Sequence, residues 1–235
     1  MGKGIPAVWR FIQMTPPFIN RAEAGRRLAA ALRQHARTGN LLVLALPRGG
    51  VLVAYEVARA LQAPLDLMLV RKLGVPGQEE LAMGAIASGG IRVISEDVVR
   101  ALDIPEREIA AIAANEQHEL DRRERAYRVT RPHTDVRGKT VILVDDGLAT
   151  GSTMRAAIAA LRAQQIKKLI VAVPVAAAET CAELGREVDE MVCIHTADPF
   201  LSVGNAYEDF SQMSDEEVRE LLRRSAEEFE SAAAR

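Results

Sequence analysis

The 235-residue chain lacks several features that would point to metal, membrane or nucleic-acid chemistry. Its two cysteines and four histidines are scattered, which excludes an ordinary zinc site. No apolar run approaches the roughly 20 residues that a membrane-spanning helix requires. With 30 basic and 32 acidic residues the net charge is −2, so no overall positive field would attract nucleic acid. We therefore expect a soluble protein with no membrane and no nucleic-acid partner.

The N-terminus is equally short of signals. The stretch of residues 7–12 is short, and Pro16 and Pro17 soon follow it, so it makes a poor secretory signal. Residues 1–17 show no periodicity, and we treat them as an N-terminal extension of uncertain order. Cys181 and Cys193 are expected to be free thiols in a reducing compartment, although a single disulfide stays open. The expected location is the cytoplasm.

What the sequence does contain is a repeated alternation of strand and helix patterns. Short apolar runs bounded by glycine, proline or charged residues predict strands buried on both faces, and helical spacing of apolar residues predicts helices between them. The predicted strands are 41–46, 65–70, 140–144, 169–175 and 190–194, and the predicted helices are 51–61, 153–164 and 177–184. This alternation favours an α/β fold with a doubly wound, mainly parallel sheet and right-handed crossovers.

Further helices flank and interrupt this alternation. Asn20 is a candidate N-cap for a first helix, and Ser214 with Glu217 forms a capping box that begins the last one. A long, highly charged helix is predicted at 104–127. We expect one domain over residues 18–235, with its core at about 18–95 and 136–195.

The most informative stretch is Val141–Thr153, VILVDDGLATGST. It predicts a buried strand that ends in two carboxylates, Asp145 and Asp146, followed by a small-residue turn and a helix. In open α/β sheets the ligand lies beyond the carboxyl ends of the strands. The turn offers backbone N–H groups, the positive end of a helix dipole and hydroxyl donors, which together bind an anion. The carboxylates suit ribose hydroxyls or a Mg²⁺ ion held through water, so the whole matches a ribose 5-phosphate.

Two other phosphate-binding motifs do not fit this stretch. An ATP-type P-loop requires a glycine, four residues and then Gly-Lys-Ser or Gly-Lys-Thr. No lysine follows Gly151, and its spacing from Gly147 is one residue short. A dinucleotide fingerprint is absent as well. A merely tight turn with an acidic lip is the non-functional interpretation, and it requires all these parts to coincide by chance.

The same stretch resembles the motif by which type I phosphoribosyltransferases bind 5-phosphoribosyl-1-pyrophosphate (PRPP), and DDGLATGST is closest to the adenine phosphoribosyltransferase version. The resemblance covers about residues 18–217 and implies that the carboxylates bind the ribose hydroxyls while residues 149–153 wrap the 5-phosphate. The PRPP-binding residues implied in the motif are Asp145, Asp146, Gly147, Ala149, Thr150, Gly151, Ser152 and Thr153. Gly147 departs from the bulkier apolar residue usual in the family. Ala149 stands where hypoxanthine-guanine enzymes carry an aspartate, which disfavours a 6-oxopurine substrate.

Two further segments are candidates for holding the departing pyrophosphate. Arg48-Gly49 follows the first predicted strand and matches the family's pyrophosphate loop, which often contains a non-proline cis peptide; its glycines allow close approach to an anion. Arg71-Lys72 opens the glycine-rich residues 71–95, which carry two short strand-like pieces, and matches the start of the family's flexible loop, a lid that excludes water. The alternatives are a helix-entry turn with an exposed arginine and a solvent-exposed hairpin.

The resemblance also implies a helical hood over the acceptor, for which the candidates are residues 96–130 and 196–235. Phe200, Tyr207 and Phe210 offer rings that would stack on a base, although aromatics at such spacing more often pack in a core. Nothing in the sequence identifies the acceptor.

Together these observations predict a Mg²⁺-dependent enzyme that moves the phosphoribosyl group of PRPP to a nitrogen acceptor, a nucleobase or base-like compound, and releases pyrophosphate. The predicted catalytic residues are Asp145, Asp146, Arg48, Arg71 and Lys72, with both aspartates as Mg²⁺ ligands, directly or through water. The alternative is a PRPP- or nucleotide-sensing regulator that keeps the fold without productive catalysis. A homodimer is common in such folds, but the sequence adds no independent support for one.

Overall fold

The computed structural model describes residues 17–36, 38–127 and 134–233. Its core is a five-stranded parallel sheet. The elements in chain order are α1 (Arg21–Ala31), β1 (Leu41–Ala45), α2 (Gly50–Leu61), β2 (Leu65–Leu67), β3 (Val70–Val75), β4 (Gln78–Ala87), β5 (Ile91–Ile94), α3 (Glu96–Ala101), α4 (Glu106–Tyr127), β6 (Thr140–Val144), α5 (Ser152–Arg162), β7 (Lys168–Ala177), α6 (Ala178–Leu184), β8 (Glu190–Ala197) and α7 (Asp215–Ala233), with short 3₁₀ turns at Arg33–His35 and Gly204–Ala206. The strand order is β2-β1-β6-β7-β8 with every pairing parallel, which confirms the predicted α/β fold class.

The central strands are buried on both faces, as their unbroken apolar runs predict. Successive side chains of a strand point to opposite faces, so alternate residues join different cores. Leu42 and Leu143 pack with α5 on one side of the sheet. Val43 and Ile142 pack with α1, α2 and α7 on the other side. Helices therefore cover both faces, which is the doubly wound arrangement.

A second sheet corrects two predictions about residues 65–95. The predicted strand 65–70 is split, because residues 65–67 pair with β1 whereas Val70 pairs with Ala87 of β4. From there β3, β4 and β5 form a three-stranded antiparallel sheet, so Arg71 and Lys72 lie on a strand and not on a loop. The reason is long-range: Leu73 and Met83, among others, are buried in the main core, and this burial favours a paired hairpin.

The predicted N-terminal caps of the first and last helices, α1 and α7, are confirmed. Asn20 Oδ1 accepts a hydrogen bond from the backbone N–H of Glu23 at 2.9 Å. At the start of α7 the backbone N–H of Ser214 donates to Glu217, and the backbone N–H of Glu217 donates to the Ser214 hydroxyl oxygen. Within the described ranges, no helix is long and apolar enough to cross a bilayer.

Cys181 on α6 and Cys193 on β8 are free thiols, as predicted, and the reducing compartment stays a prediction. The predicted N-terminal extension lies outside the described residues, apart from Pro17. The division of the domain into a core and a hood stays a prediction.

Candidate functional site

Two carboxylates follow the carboxyl end of β6, beside the crevice between β1 and β6 where the direction of strand addition reverses. Asp145 Oδ1 accepts a hydrogen bond from the backbone N–H of Asp146 at 2.8 Å. Asp146 Oδ2 pairs with Nε of Arg21 at 2.7 Å, and the Asp146 carbonyl accepts a hydrogen bond from the Tyr207 hydroxyl. One oxygen of each carboxylate is therefore engaged within the protein.

Burial and neighbouring charge raise the pKa values of two groups at this site, Asp145 and Tyr207. Burial, followed by the charge of Asp146, raises the pKa of Asp145 well above its usual range. Burial, again followed by the charge of Asp146, also raises the pKa of Tyr207. The Tyr207 hydroxyl therefore stays protonated near neutral pH, consistent with its role as a hydrogen-bond donor.

The turn after the acidic pair enters α5 through Gly151, whose φ of 71° lies in the left-handed region that favours glycine. A β-carbon there would also meet Thr180 Cγ2 at 2.8 Å. The Thr180 hydroxyl donates to the Ala149 carbonyl at 2.7 Å and so holds the middle of the turn. Among the described residues, no side chain caps the first turn of α5. Its first backbone N–H groups are therefore available to an anion, as the sequence predicts.

Gly147 has a steric explanation that the sequence does not reveal. A β-carbon at this position would lie 2.6 Å from Val203 Cγ1 and 2.8 Å from Val175 Cγ1. The bulkier apolar residue expected from the family resemblance is therefore blocked by β7 and by the segment before the last 3₁₀ turn.

We expect Gly147→Ala to lower the free energy of unfolding by about 1–3 kcal/mol, because the added methyl group overpacks this contact. Urea unfolding checks the value. Adding Val203→Ala should recover part of the loss, since it removes the atom nearest to the new carbon. A single Gly147→Ala protein as stable as the wild type would contradict this explanation.

The loop after β1 packs directly on the acidic pair. A β-carbon on Gly49 would lie 1.8 Å from Asp146 Oδ2, and one on Gly50 would lie 2.9 Å from Asp145 Cα. The peptide bond between Pro47 and Arg48 is cis. The two turns predicted to hold opposite ends of one ligand are thus in contact with each other at the sheet edge.

Two of the three predicted leaving-group cations, Arg48 and Arg71, pair with carboxylates on helices. Arg48 Nη1 lies 3.6 Å from Asp215 Oδ1 at the start of α7. Arg71 Nε pairs with Glu116 on α4. Both arginine side chains are about one-third exposed, so solvent reaches them and the pairs are able to exchange for another anion.

A cleft of about 540 Å³ lies between the β3–β4 hairpin, α4 and the start of α5. It brings together four predicted site residues, Arg71, Lys72, Ser152 and Thr153. From α4 it is lined by Ile112, Asn115, Glu116 and Arg123. Pro47 also lines it and so joins it to the loop beside the acidic pair, although Asp145 and Asp146 are not among its described lining residues.

Several residues of the site escape sequence reasoning. Arg21 is not part of any sequence motif and lies 125 residues from Asp146 along the chain. Glu116 and Arg123 belong to a helix whose many charges all look solvated in the sequence. Tyr207 is buried and stacks on Phe210 with ring centroids 5.1 Å apart, so the core interpretation of this aromatic is confirmed.

Fold and site together define a class of protein. It is a doubly wound α/β protein with a carboxylate pair at the point where the strand order reverses. A turn then leads into a helix, α5, whose first turn has no side-chain cap among the described residues. The family model described as phosphoribosyl transferase domain matches residues 19–203, most of the chain. The protein therefore belongs to the phosphoribosyl transferase domain family, as the sequence resemblance implied.

Individual relatives agree with this assignment. Proteins from two strains of Mycobacterium tuberculosis, both named provisionally as phosphoribosyl transferases, are 43% identical over 217 residues. That match covers 92% of this chain but 49% of theirs, so the chain spans about half the length of these curated relatives. The crystal structure of TT1426 from Thermus thermophilus has a TM-score of 0.83 and 39% identity, and the match covers 88% of this chain and 98% of that one.

Proposed function

We propose that this protein is a phosphoribosyltransferase that binds PRPP at the carboxyl edge of β1 and β6 and transfers its phosphoribosyl group to a nitrogen acceptor. In the reaction the acceptor nitrogen forms a bond to C1 of the ribose. The bond from C1 to the pyrophosphate oxygen breaks, and pyrophosphate leaves with the electron pair. The acceptor nitrogen then loses its proton to solvent, which restores a neutral base.

The observation that carries this proposal is the contact between the loop Pro47–Gly50 and the acidic pair. Gly49 abuts the Asp146 carboxylate, and the uncapped N-terminus of α5 follows the same pair. A ribose with a phosphate at C5 and a pyrophosphate at C1 needs three adjacent features: an anion site, a hydroxyl site and a second anion site. These features are the first turn of α5, Asp145 with Asp146, and the loop carrying Arg48.

The leaving group is proposed to draw on the cations around the cleft. Negative charge develops on the pyrophosphate as the bond to C1 breaks, and preorganised cations and N–H donors stabilise it. Arg48, Arg71, Lys72 and the Gly49 amide are the proposed donors. Binding then requires Arg48 to leave Asp215 and Arg71 to leave Glu116, which solvent-exposed ion pairs permit at low cost.

A magnesium ion is part of the proposal, because Asp145 and Asp146 suit an ion that is bound mainly by the phosphates of the substrate. In the part of the chain that the structure describes, no group of three or more His, Cys, Asp or Glu side chains is arranged to hold a metal. Mg²⁺ commonly binds through one or two carboxylates together with water and substrate phosphates. Asp145 and Asp146 would hold it, and it would supply positive charge to the pyrophosphate oxygens.

The test is pyrophosphate release from PRPP and Mg²⁺, screened over nucleobases and related amines. We expect release that depends on one class of acceptor, with Asp145→Asn/Asp146→Asn as the inactive control. Ala149 and the family resemblance lead us to expect weak activity with 6-oxopurines. Failure of wild-type protein to bind PRPP, measured by calorimetry, would refute the proposal outright.

A second candidate function is a PRPP- or nucleotide-sensing regulator. The observation that favours it is the engagement of both leaving-group arginines by Asp215 and Glu116, which a binding protein does not need to release. PRPP binding without pyrophosphate release for any acceptor would support this candidate over the enzyme.

A further inference from the structure

Arg21 is the one arginine whose side chain both contacts the acidic pair and is buried among the residues that the structure describes. As the first residue of α1, it is 8% exposed. Its Nε lies 2.7 Å from Asp146 Oδ2, and the two side chains are 9% and 14% exposed. The pair is thus largely shielded from water, where the geometry of an ion pair matters more than on a surface.

Three further contacts hold the Arg21 guanidinium in one orientation. Its Nη1 donates to the carbonyl of Ser211 at 2.7 Å. Its Cζ lies 3.8 Å from the centroid of the Phe210 ring. A β-carbon on Gly49 would lie 3.1 Å from Nε, so the loop after β1 closes the remaining side. Nε, Nη1 and a face of the guanidinium are thus each in contact with a neighbouring group.

The same contacts restrict Asp146. Its Oδ2 is tied to Arg21, its carbonyl accepts from Tyr207, and Gly49 lies against the carboxylate. With Oδ2 paired to Arg21 and Gly49 packed against the carboxylate, its orientation is restricted, and Oδ1 is the oxygen that would accept hydrogen bonds from a ligand. An ion pair that served only to anchor α1 would not need to lie between two ligand-binding loops.

We propose that Arg21 is a positioning residue that orients the Asp146 carboxylate toward the ribose hydroxyls and links this orientation to the segment containing Phe210 and Ser211. The inference rests on the proposed function, since it assumes that the ligand carries a ribose phosphate. Arg21 acts through Asp146 and does not itself contact the ligand.

The experiment compares Arg21→Gln and Arg21→Lys with the wild type. The control is Arg59→Gln, which removes another arginine paired with a buried carboxylate, Glu56, on α2. PRPP affinity is measured by calorimetry with Mg²⁺. Affinities for ribose 5-phosphate and inorganic phosphate are measured by titration without metal, and circular dichroism verifies folding.

We expect Arg21→Gln to weaken PRPP binding about tenfold or more, the usual loss for a misplaced charged hydrogen bond. The ratio of ribose 5-phosphate affinity to phosphate affinity should fall by a similar factor, because the phosphate site on α5 is untouched. Arg21→Lys should recover a large part of both, and Arg59→Gln should match the wild type.

Unchanged PRPP affinity in a folded Arg21→Gln protein would overturn the inference. So would an equal loss for ribose 5-phosphate and for phosphate, because that result indicates a purely structural pair. If Arg21→Gln does not fold, Phe210→Ala decides the matter, because it removes the ring packed on the Arg21 guanidinium: the same ratio should fall, and an unchanged ratio would overturn the inference. Absence of PRPP binding in the wild type would overturn the proposed function and this inference together, whereas the other outcomes affect Arg21 alone.

Discussion

Gly49→Ala is expected to reduce PRPP affinity by about 100-fold or more. The new β-carbon would lie 1.8 Å from Asp146 Oδ2 and 2.6 Å from Asp146 Cγ, far inside van der Waals contact. The carboxylate cannot rotate away without breaking its ion pair, because the oxygen that the β-carbon would meet is the one paired with Arg21. Either Asp146 or the loop must therefore move, and each movement would separate the proposed ribose site from the proposed pyrophosphate site.

The same substitution should cost about 1–3 kcal/mol of folding free energy, as overpacking of a fixed contact usually does. Calorimetric titration and urea unfolding measure the two effects separately. Gly39→Ala is the matched control, since a β-carbon there meets no atom within 4 Å. A folded Gly49→Ala protein that binds PRPP like the wild type would show that the loop does not contribute to the site.

The double variant Asp145→Asn/Asp146→Asn is expected to lower PRPP affinity by about three orders of magnitude. Each substitution would weaken the proposed hydrogen bonds to the ribose hydroxyls and remove a carboxylate from the proposed Mg²⁺ site. Asp97→Asn is the control for loss of one negative charge, because Asp97 is highly exposed on α3. PRPP affinity within a few-fold of the wild type would refute the roles of these carboxylates.

The two single variants should affect stability in opposite directions. Asp145→Asn removes a carboxyl group whose ionised form is disfavoured by burial and by the charge of Asp146, so we expect it to raise the free energy of unfolding by about 0.5–2 kcal/mol at neutral pH. Asp146→Asn leaves the buried guanidinium of Arg21 without its charged partner, and we expect a loss of about 3 kcal/mol. Such a gain in stability on replacing Asp145, a proposed binding residue, is typical of functional sites, where stability is lost in favour of binding.

The stabilisation by Asp145→Asn has a defined pH dependence. Because folding raises the pKa of Asp145, the unfolded chain ionises first as the pH rises. The wild type therefore loses stability between the unfolded-state and the folded-state pKa, and the variant, which lacks the group, does not. The difference in melting temperature between them should grow with pH across this interval and vanish below it.

Local patterns were sufficient for the elements that carry the motif. The apolar run of β6 and the helical spacing of α5 predicted both elements to within two residues, because strand burial and helix periodicity are properties of neighbouring residues. The hairpin was predicted less well. Arg71 and Lys72 look like loop residues because glycines surround them, yet pairing of β3 with β4 and burial of Leu73 place them on a strand.

For the two carboxylates as well, the sequence predicted one part of the arrangement and the tertiary structure supplied the rest. The sequence by itself predicted that two carboxylates at the end of a buried strand precede a small-residue turn and a helix, because apolar runs, glycines and helical spacing are local signals. Only the tertiary structure decided what surrounds Asp146: Arg21 pairs with it across 125 residues, and Gly49 contacts it from the loop after β1. Contacts at such separations depend on how β1 and β6 pair and on which helix covers their edge. No local pattern encodes these features, because they arise from the packing of the whole chain.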